Sequence, residues 1–446
     1  MPAESVPPFP SISRFKVILV CAFLLLATTI NYADRLTLNQ LSTELMHDLN
    51  FDKKQYGTTE FAFGLSYGIG AIVWGLVVDR YGPMRIYPMG VILWSLAGFA
   101  TAYVRDFQGL VVCRSLLGFF EAINWSCGLV ITKKMLAPKD RALGNGMFQS
   151  GTALGSIITP FLVLRLSQAY GWPMAFQFVG LLGFLWSIAW ILFMGRTQFS
   201  SASGSAETTA DELPLGRFFV WLVMQPKFWV MAIMVVAINL NWHFFRAWMP
   251  LYLREARGMS AEMQATASTV FYIAADVGAI GGGFAIQRLA PLLGVFRARV
   301  AIYFLFCLAT LGSVPLAFIE SPWVLWPCLV IVGMGSLGIF PIYFSLSQDF
   351  SSRRQGIVTG ILGSWNWVVV SLMQQGMGFL VQSNQDRTFA RLIGEGLEET
   401  QAYRQAIHDA YPLQIALSGL IPMLALVAMV FLWPRREGSP MTNSGK

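Results

Sequence analysis

Long apolar runs fill most of the 446-residue chain, and six ionisable residues stand out well away from the ends of these runs or beside one another: Asp34, Arg35, Arg114, Glu121, Arg246 and Asp276. A charge at the centre of a lipid-facing helix costs about 2.5–3.5 kcal/mol. The six are therefore expected to face one another or a wet cavity rather than lipid. With all of them ionised the set is neutral. With Asp34 and Glu121 protonated it carries a net positive charge suited to a carboxylate ligand. The chemistry this implies is exchange: protons load on the carboxyls, the arginines are released for an organic anion, and proton loss favours its departure. Ion pairs that only clamp helices together are the duller alternative, and such pairs stabilise little by themselves.

Spacing groups these residues further. Glu121 stands seven residues after Arg114, two turns along the same helical face. Tyr32, Asp34, Arg35, Tyr67, Arg114 and Glu121 are expected to line one cavity in the N-terminal half, with Arg246 and Asp276 facing them or pairing with each other. Ligand hydroxyls need neutral partners beside apolar surface. Tyr343 and Asn366 are the preferred candidates among a wider set that includes Asn124, Asn239, Asn241, His243 and Gln374. For any of these, hydrogen bonding between helices competes with ligand contact, and His243 reads more readily as a satisfied core residue than as a proton relay.

The elements that must position these groups follow from composition. Apolar residues make up 55% of the chain and charged residues only 12%, about half the usual share in soluble domains. That excludes an ordinary soluble enzyme, a nucleic-acid reader and a disordered chain. Twelve spans of about 20 residues would use roughly half the chain. Apolar runs fall near 17–38, 58–79, 86–104, 107–132, 142–166 and 173–194, then near 228–251, 263–287, 299–318, 322–346, 356–382 and 411–433. The expected architecture is an all-α polytopic membrane protein, with twelve transmembrane helices in two six-helix bundles.

Residues 1–196 and 227–446 would form the bundles. Between them lies a cytoplasmic linker, 197–226, where the polar run SSASGSAETTADE precedes the amphipathic Phe218–Met224. An external insert, 383–410, puts Phe389, Leu392, Ile393 and Leu397 at the spacing of one helical face. It reads as a solvated helical insert, with a cap over the pathway as the alternative.

Most of the 31 Lys and Arg fall on the side of the even-numbered inner loops. By the positive-inside rule both termini are cytoplasmic, and the net charge of +7 sets topology rather than binding nucleic acid. Arg14-Phe-Lys16 before an apolar run imitates a signal peptide. No small-x-small site closes that run, however, and it continues through Asn31-Tyr-Ala-Asp-Arg35, so it reads as the first span. The five cysteines show no CxxC spacing and the three histidines are scattered, so no metal and no cofactor is expected. Lipid, protons and a small organic anion are the expected partners of a monomeric chain in the inner (plasma) membrane.

An internal repeat supports this reading. Gly75-Leu-Val-Val-Asp79-Arg80-Tyr-Gly82-Pro-Met-Arg85 lies between spans 2 and 3, and a degraded copy, Gly283-Phe-Ala-Ile-Gln287-Arg288, lies at the same step of the second half. Such duplications are typical of secondary transporters. The first copy resembles the inner-loop signature GxxxDRxGxxR of the major facilitator superfamily. Asn31-Tyr32-Ala-Asp34-Arg35, Arg114 to Glu121, Ser150 to Pro160 and Trp242 to Pro250 narrow the resemblance to the anion:cation symporters, which include bacterial hexuronate, galactonate and glucarate transporters. The resemblance implies that Asp34 and Glu121 are proton sites, that Arg35 and Tyr67 engage the substrate carboxylate, and that Arg114 couples the two. It implies a gating role for Gly75, Asp79, Arg80, Gly82 and Arg85.

Catalytic and nucleotide motifs (GxxxxGK[ST], HExxH, GxSxG at a strand-to-helix turn) are missing from the sequence. The expected function is thus proton-coupled symport of a sugar acid by alternating access. Sodium coupling or anion exchange on the same fold are the near alternatives, and a polytopic sensor or enzyme the remote ones.

Overall fold

A computed structural model describes residues 14–135, 141–194, 215–340, 342–343, 346 and 355–432, and every regular element among them is helical. In chain order the first half holds α1 (Arg14–Gln40), α2 (Ser42–Asp48), α3 (Lys53–Tyr81), α4 (Pro83–Thr101), α5 (Phe107–Glu121), α6 (Ile123–Met135), α7 (Arg141–Tyr170) and α8 (Trp172–Met194). The second holds α9 (Leu215–Val223), α10 (Pro226–Glu255), α11 (Ala261–Leu293), α12 (Val295–Thr310), α13 (Ser313–Phe318), α14 (Pro322–Gly338), α15 (Gln355–Gly394), α16 (Glu399–Asp409) and α17 (Pro412–Leu432).

Among the described residues nine stretches are long and apolar enough to cross a membrane. The 19-residue α4, the shorter apolar α14 and the first part of α15 fill the remaining places of the expected twelve. Residues 195–214, which include the first part of the linker 197–226, and both chain ends lie outside the described residues. In the last part of the linker, α9 buries Phe218 and Leu222 and exposes the apolar Phe219, Val220 and Trp221.

Helix starts are set by ordinary capping. Asp52 and Gln55 form a capping box at α3, the Asp106 carboxylate accepts from the Gly109 N–H at α5, and prolines open α4 and α14. The repeat is visible in the backbone. Gly82, between α3 and α4, has φ 80 and ψ 147; Gly294, between α11 and α12, has φ 80 and ψ 150. Both halves turn on a glycine in a conformation that residues with a Cβ rarely adopt.

Two compact units divide the chain: Met1–Ser201, His243–Ile273 and Trp367–Gln414 form one, and Ala202–Trp242, Ala274–Asn366 and Ile415–Lys446 the other. In the first unit α1 packs along α7, α3 along α5, and α4 against α5 and α8. The α1–α7 contact is close because Gly151 and Gly155 lack side chains. A Cβ on Gly155 would stand 2.7 Å from both the Thr29 carbonyl oxygen and Tyr32 Cβ. Near it, Phe23, Tyr87, Trp186 and Trp190 interlock, with the Trp186 Nε1–H donating 2.9 Å to the Phe23 carbonyl.

The same unit takes in the last turns of α10, the first turns of α11 and the second part of α15. Lys53, at the start of α3, is buried there. Its Nζ pairs with Glu255 at 2.9 Å and donates to Gln385 Oε1 at 2.6 Å. The second unit packs α12 against α14. In it Asn241 Nδ2 donates to the Ser418 carbonyl at 2.9 Å and accepts from Ser336 Oγ at 2.6 Å, so this polar candidate holds helices together.

The 383–410 segment is a helical hairpin. Helix α15 runs unbroken through 40 residues, Gly396 (φ 86) makes the turn, and α16 returns. Leu392 is buried as the spacing suggested, and Phe389 packs on Tyr403 at 6.0 Å between ring centroids. The expected four-residue stripe is narrower than its spacing suggests: Ile393 and Leu397 are exposed, and Leu397 lies beyond the end of α15 at Gly394, past the Gly396 turn.

Candidate functional site

Arg35 and Glu121 form the centre of the first unit. Both are fully buried. Arg35 donates from Nε (3.2 Å) and Nη2 (2.8 Å) to one oxygen, Glu121 Oε2, and more distantly from Nη2 to Asn31 Oδ1. Four rings wall the guanidinium: Tyr32, Tyr67, Phe63 and Trp367, with centroids 5.0, 5.1, 5.2 and 5.7 Å from its central carbon. A weakly hydrated, planar cation suits such a cage, since ring faces attract it without saturating its N–H donors. The chain breaks helix immediately after Glu121, at Ala122, between α5 and α6. An interruption at membrane depth is tolerated where it lines a cavity or is buried in protein.

Asp34, one residue from the cage, is fully buried, and neither of its oxygens accepts a hydrogen bond from any described residue. It fits because position 98 is glycine: a Cβ there would stand 2.6 Å from Asp34 Oδ1. A carboxylate without donors is costly to bury as an anion and much less so as the neutral acid.

A second cluster lies across Phe63, whose ring also stands 4.5 Å from the Arg114 guanidinium carbon. Close approach of α3 and α5 makes this possible, since Gly118 meets the Phe63 backbone. Arg114 does not take Glu121 as its hydrogen-bond partner. Its Nη2 donates 3.2 Å to Oε1 of Glu60, a seventh intramembrane charge that the sequence reading did not single out. Oε2 of Glu60 accepts from Arg246 Nη2 at 2.5 Å. Arg246 thus takes Glu60 as its carboxylate partner, where the sequence suggested Asp276. Its other nitrogens donate to Asn39 Oδ1 (2.7 Å) and His243 Nδ1 (3.0 Å). His243 therefore accepts at Nδ1 and is the Nε2–H tautomer, a satisfied core residue. Asn39 Nδ2 donates both to Glu60 Oε1 (3.0 Å) and to the Tyr56 hydroxyl (2.8 Å).

The structure thus brings Tyr32, Asp34, Arg35, Tyr67, Arg114, Glu121 and Arg246 into one unit. Asp276, half-buried, and Tyr343 and Asn366, both buried, belong to the other. Asn366 Oδ1 has no hydrogen-bond partner among the described residues. Asn124 and Gln374 are interhelical glue: Asn124 accepts from the Tyr87 hydroxyl at 2.6 Å, and Gln374 accepts from Trp248 Nε1 at 2.7 Å. In the inner-loop motif Asp79, Arg80 and Arg85 are exposed.

Phe63 and Trp367 are the cage walls that sequence reasoning missed. Their only signal was helical spacing: Phe63 precedes Tyr67 by one turn, and in a chain this rich in aromatics such spacing picks out many residues.

Comparison with known proteins bears on the family and the fold. The sequence profile of the Major Facilitator Superfamily matches residues 24–373. A hexuronate transporter of Escherichia coli K12 is 26% identical, over 81% of this chain and 87% of its own length. A probable galactarate/D-glucarate transporter of the same organism is 23% identical, over 79% and 89%. Among solved structures, a bacterial homologue of the human lysosomal transporter Spinster, in an inward-facing unoccupied conformation, superposes with a TM-score of 0.82 at 16% identity, covering 94% of this chain and 98% of that one. At that identity the structural likeness speaks for fold alone.

Proposed function

The chain belongs to the Major Facilitator Superfamily, and on that premise we propose that it carries a sugar acid, a hexuronate or an aldonate, across the membrane together with protons by alternating access. One observation carries the reading: a caged Arg35 held by a single carboxylate, Glu121, beside a buried Asp34 that has no donor among the described residues. The substrate carboxylate takes the place of the Glu121 carboxylate on the Arg35 fork, a geometry that guanidinium and carboxylate share. Glu121 leaves that fork protonated, because a buried carboxylate without its cationic partner is costly as an anion. Asp34 holds the second proton. Tyr67 and Tyr32, already against the guanidinium, supply hydroxyls and a ring face to the sugar. Ligand and protons together favour the closed state through their differential affinity for it.

The names of the relatives support a sugar acid: one is a hexuronate transporter and another a probable galactarate/D-glucarate transporter. The chain is multi-pass, and we assign it to the cytoplasmic (inner) membrane with both termini on the cytoplasmic side, from the distribution of Lys and Arg. One chain supplies every residue of the cage, so a monomer suffices.

Uptake of labelled glucuronate and galactonate into liposomes holding the purified protein, with an acidic exterior and no sodium, tests the proposal. Accumulation above equilibrium is expected. Accumulation only with added sodium overturns the coupling ion and keeps the substrate. Failure of these and a wider panel of organic anions, in folded protein, overturns the sugar-acid reading.

A further inference from the structure

Arg114 is the best-buried arginine of the site and the least satisfied. It has no exposure, and only Nη2 is paired; Nε and Nη1 have no hydrogen-bond partner among the described residues. Buried guanidinium N–H groups are costly to leave unpaired. Glu60 reaches Arg114 with one oxygen and Arg246 with the other. It therefore does for these two arginines what a ligand carboxylate would do, but from within the chain. We propose that Arg114 and Arg246 form a second anion subsite, that Glu60 is its tethered occupant, and that the subsite accepts the second carboxylate of a dicarboxylic sugar acid. This deepens the sugar-acid reading above and rests on it.

The span fits. The guanidinium carbons of Arg35 and Arg114 lie on the same Phe63 ring, 5.2 and 4.5 Å from its centroid. Their separation cannot exceed the sum of those distances. A six-carbon chain, with five bonds of about 1.5 Å, places its terminal carboxylates within that reach. One end meets the Arg35 fork, and the other takes the place of the Glu60 carboxylate on Arg114 and Arg246.

Charge balance gives the signature. A monocarboxylate displaces one resident carboxylate, Glu121, and one proton is taken up. A dicarboxylate also displaces Glu60, which must leave its arginines as the neutral acid, so a second proton is taken up. The groups facing Glu60 identify it as the one that changes. Asn39 from α1, Arg114 from α5, Arg246 from α10, Tyr56 one turn back on α3 and Tyr272 from α11 surround it. Both cations there are arginines, which do not deprotonate. His243 is tied to Arg246 through Nδ1.

The experiment is calorimetric titration of the purified full-length protein with glucarate and with glucuronate, each in two buffers of different ionisation enthalpy. Wild type is expected to take up about one more proton per glucarate than per glucuronate. In Glu60→Gln that excess is expected to vanish, with glucarate tightening at least tenfold relative to glucuronate at neutral pH. Equal proton uptake for both ligands in wild type overturns the inference, and this reading stands even if the variant does not fold. So does a Glu60→Gln change that shifts both affinities equally. Binding of glucuronate without glucarate overturns the second subsite and leaves the sugar-acid reading intact. Binding of neither overturns both.

Discussion

Arg35 and Arg114 stand against the same phenylalanine ring and are held in opposite ways. Arg35 has one carboxylate partner, and the rest of its surroundings are rings, so replacing Glu121 by another carboxylate leaves the cage unchanged. Arg114 belongs to a network whose members come from α1, α3, α5 and α10, in which one carboxylate serves two cations. A ligand can enter the first cluster without disturbing a helix. Entry into the second must break a cross-link among four. On the proposed function, the cage exchanges an anion locally, whereas an anion that enters the network also disturbs helix packing.

The largest expected effect lies in the network. Glu60→Ala removes the one carboxylate hydrogen-bonded to both buried guanidiniums, a loss worth about 3–5 kcal/mol. Thermal melting in detergent is expected to fall clearly further for it than for Glu121→Ala, where four rings and Asn31 still shield the arginine. Equal falls would erase the distinction between the clusters. Next comes Arg35→Lys. Lysine keeps the charge but loses the planar fork, so sugar-acid uptake, measured as kcat/KM, is expected to drop about 100-fold, or about 2.7 kcal/mol. Gly98→Ala sharpens the role of Asp34. Its methyl would stand 2.6 Å from Oδ1, and gradient-driven accumulation is expected to fall roughly tenfold, about 1.4 kcal/mol, while counterflow exchange is retained. Tyr67→Leu removes one wall of the cage. Loss of a cation–ring contact worth about 1 kcal/mol is expected to raise KM about fivefold at unchanged kcat, read from concentration-dependent uptake.

Much of this was legible in the sequence because apolar runs of 20 residues leave few alternatives, and a charge within one advertises itself. Asp34, Arg35, Arg114 and Glu121 stood out for that reason. Glu60 did not. It lies two residues inside the expected start of its span, where a carboxylate reads as an end residue reaching for water, and its partner Arg246 is 186 residues away. Asp276 looked like that partner because both residues fall inside spans of the second half; nothing in the local sequence shows that the end of α10 packs with α1 and α3. Trp367 was hidden for the opposite reason. Asn366 drew attention as a polar residue in its span, while Trp367 beside it forms the fourth wall of the cage.

The central claim is that protons on Asp34 and Glu121 release Arg35 for the substrate. Its most direct test compares proton-driven accumulation with counterflow exchange of labelled glucuronate, in liposomes carrying wild type, Asp34→Asn or Glu121→Gln. Each variant fixes the neutral form of one carboxyl. Both variants are expected to lose accumulation against a gradient while exchanging substrate at close to the wild-type rate. Accumulation that survives in both would contradict the claim and move the proton to another group.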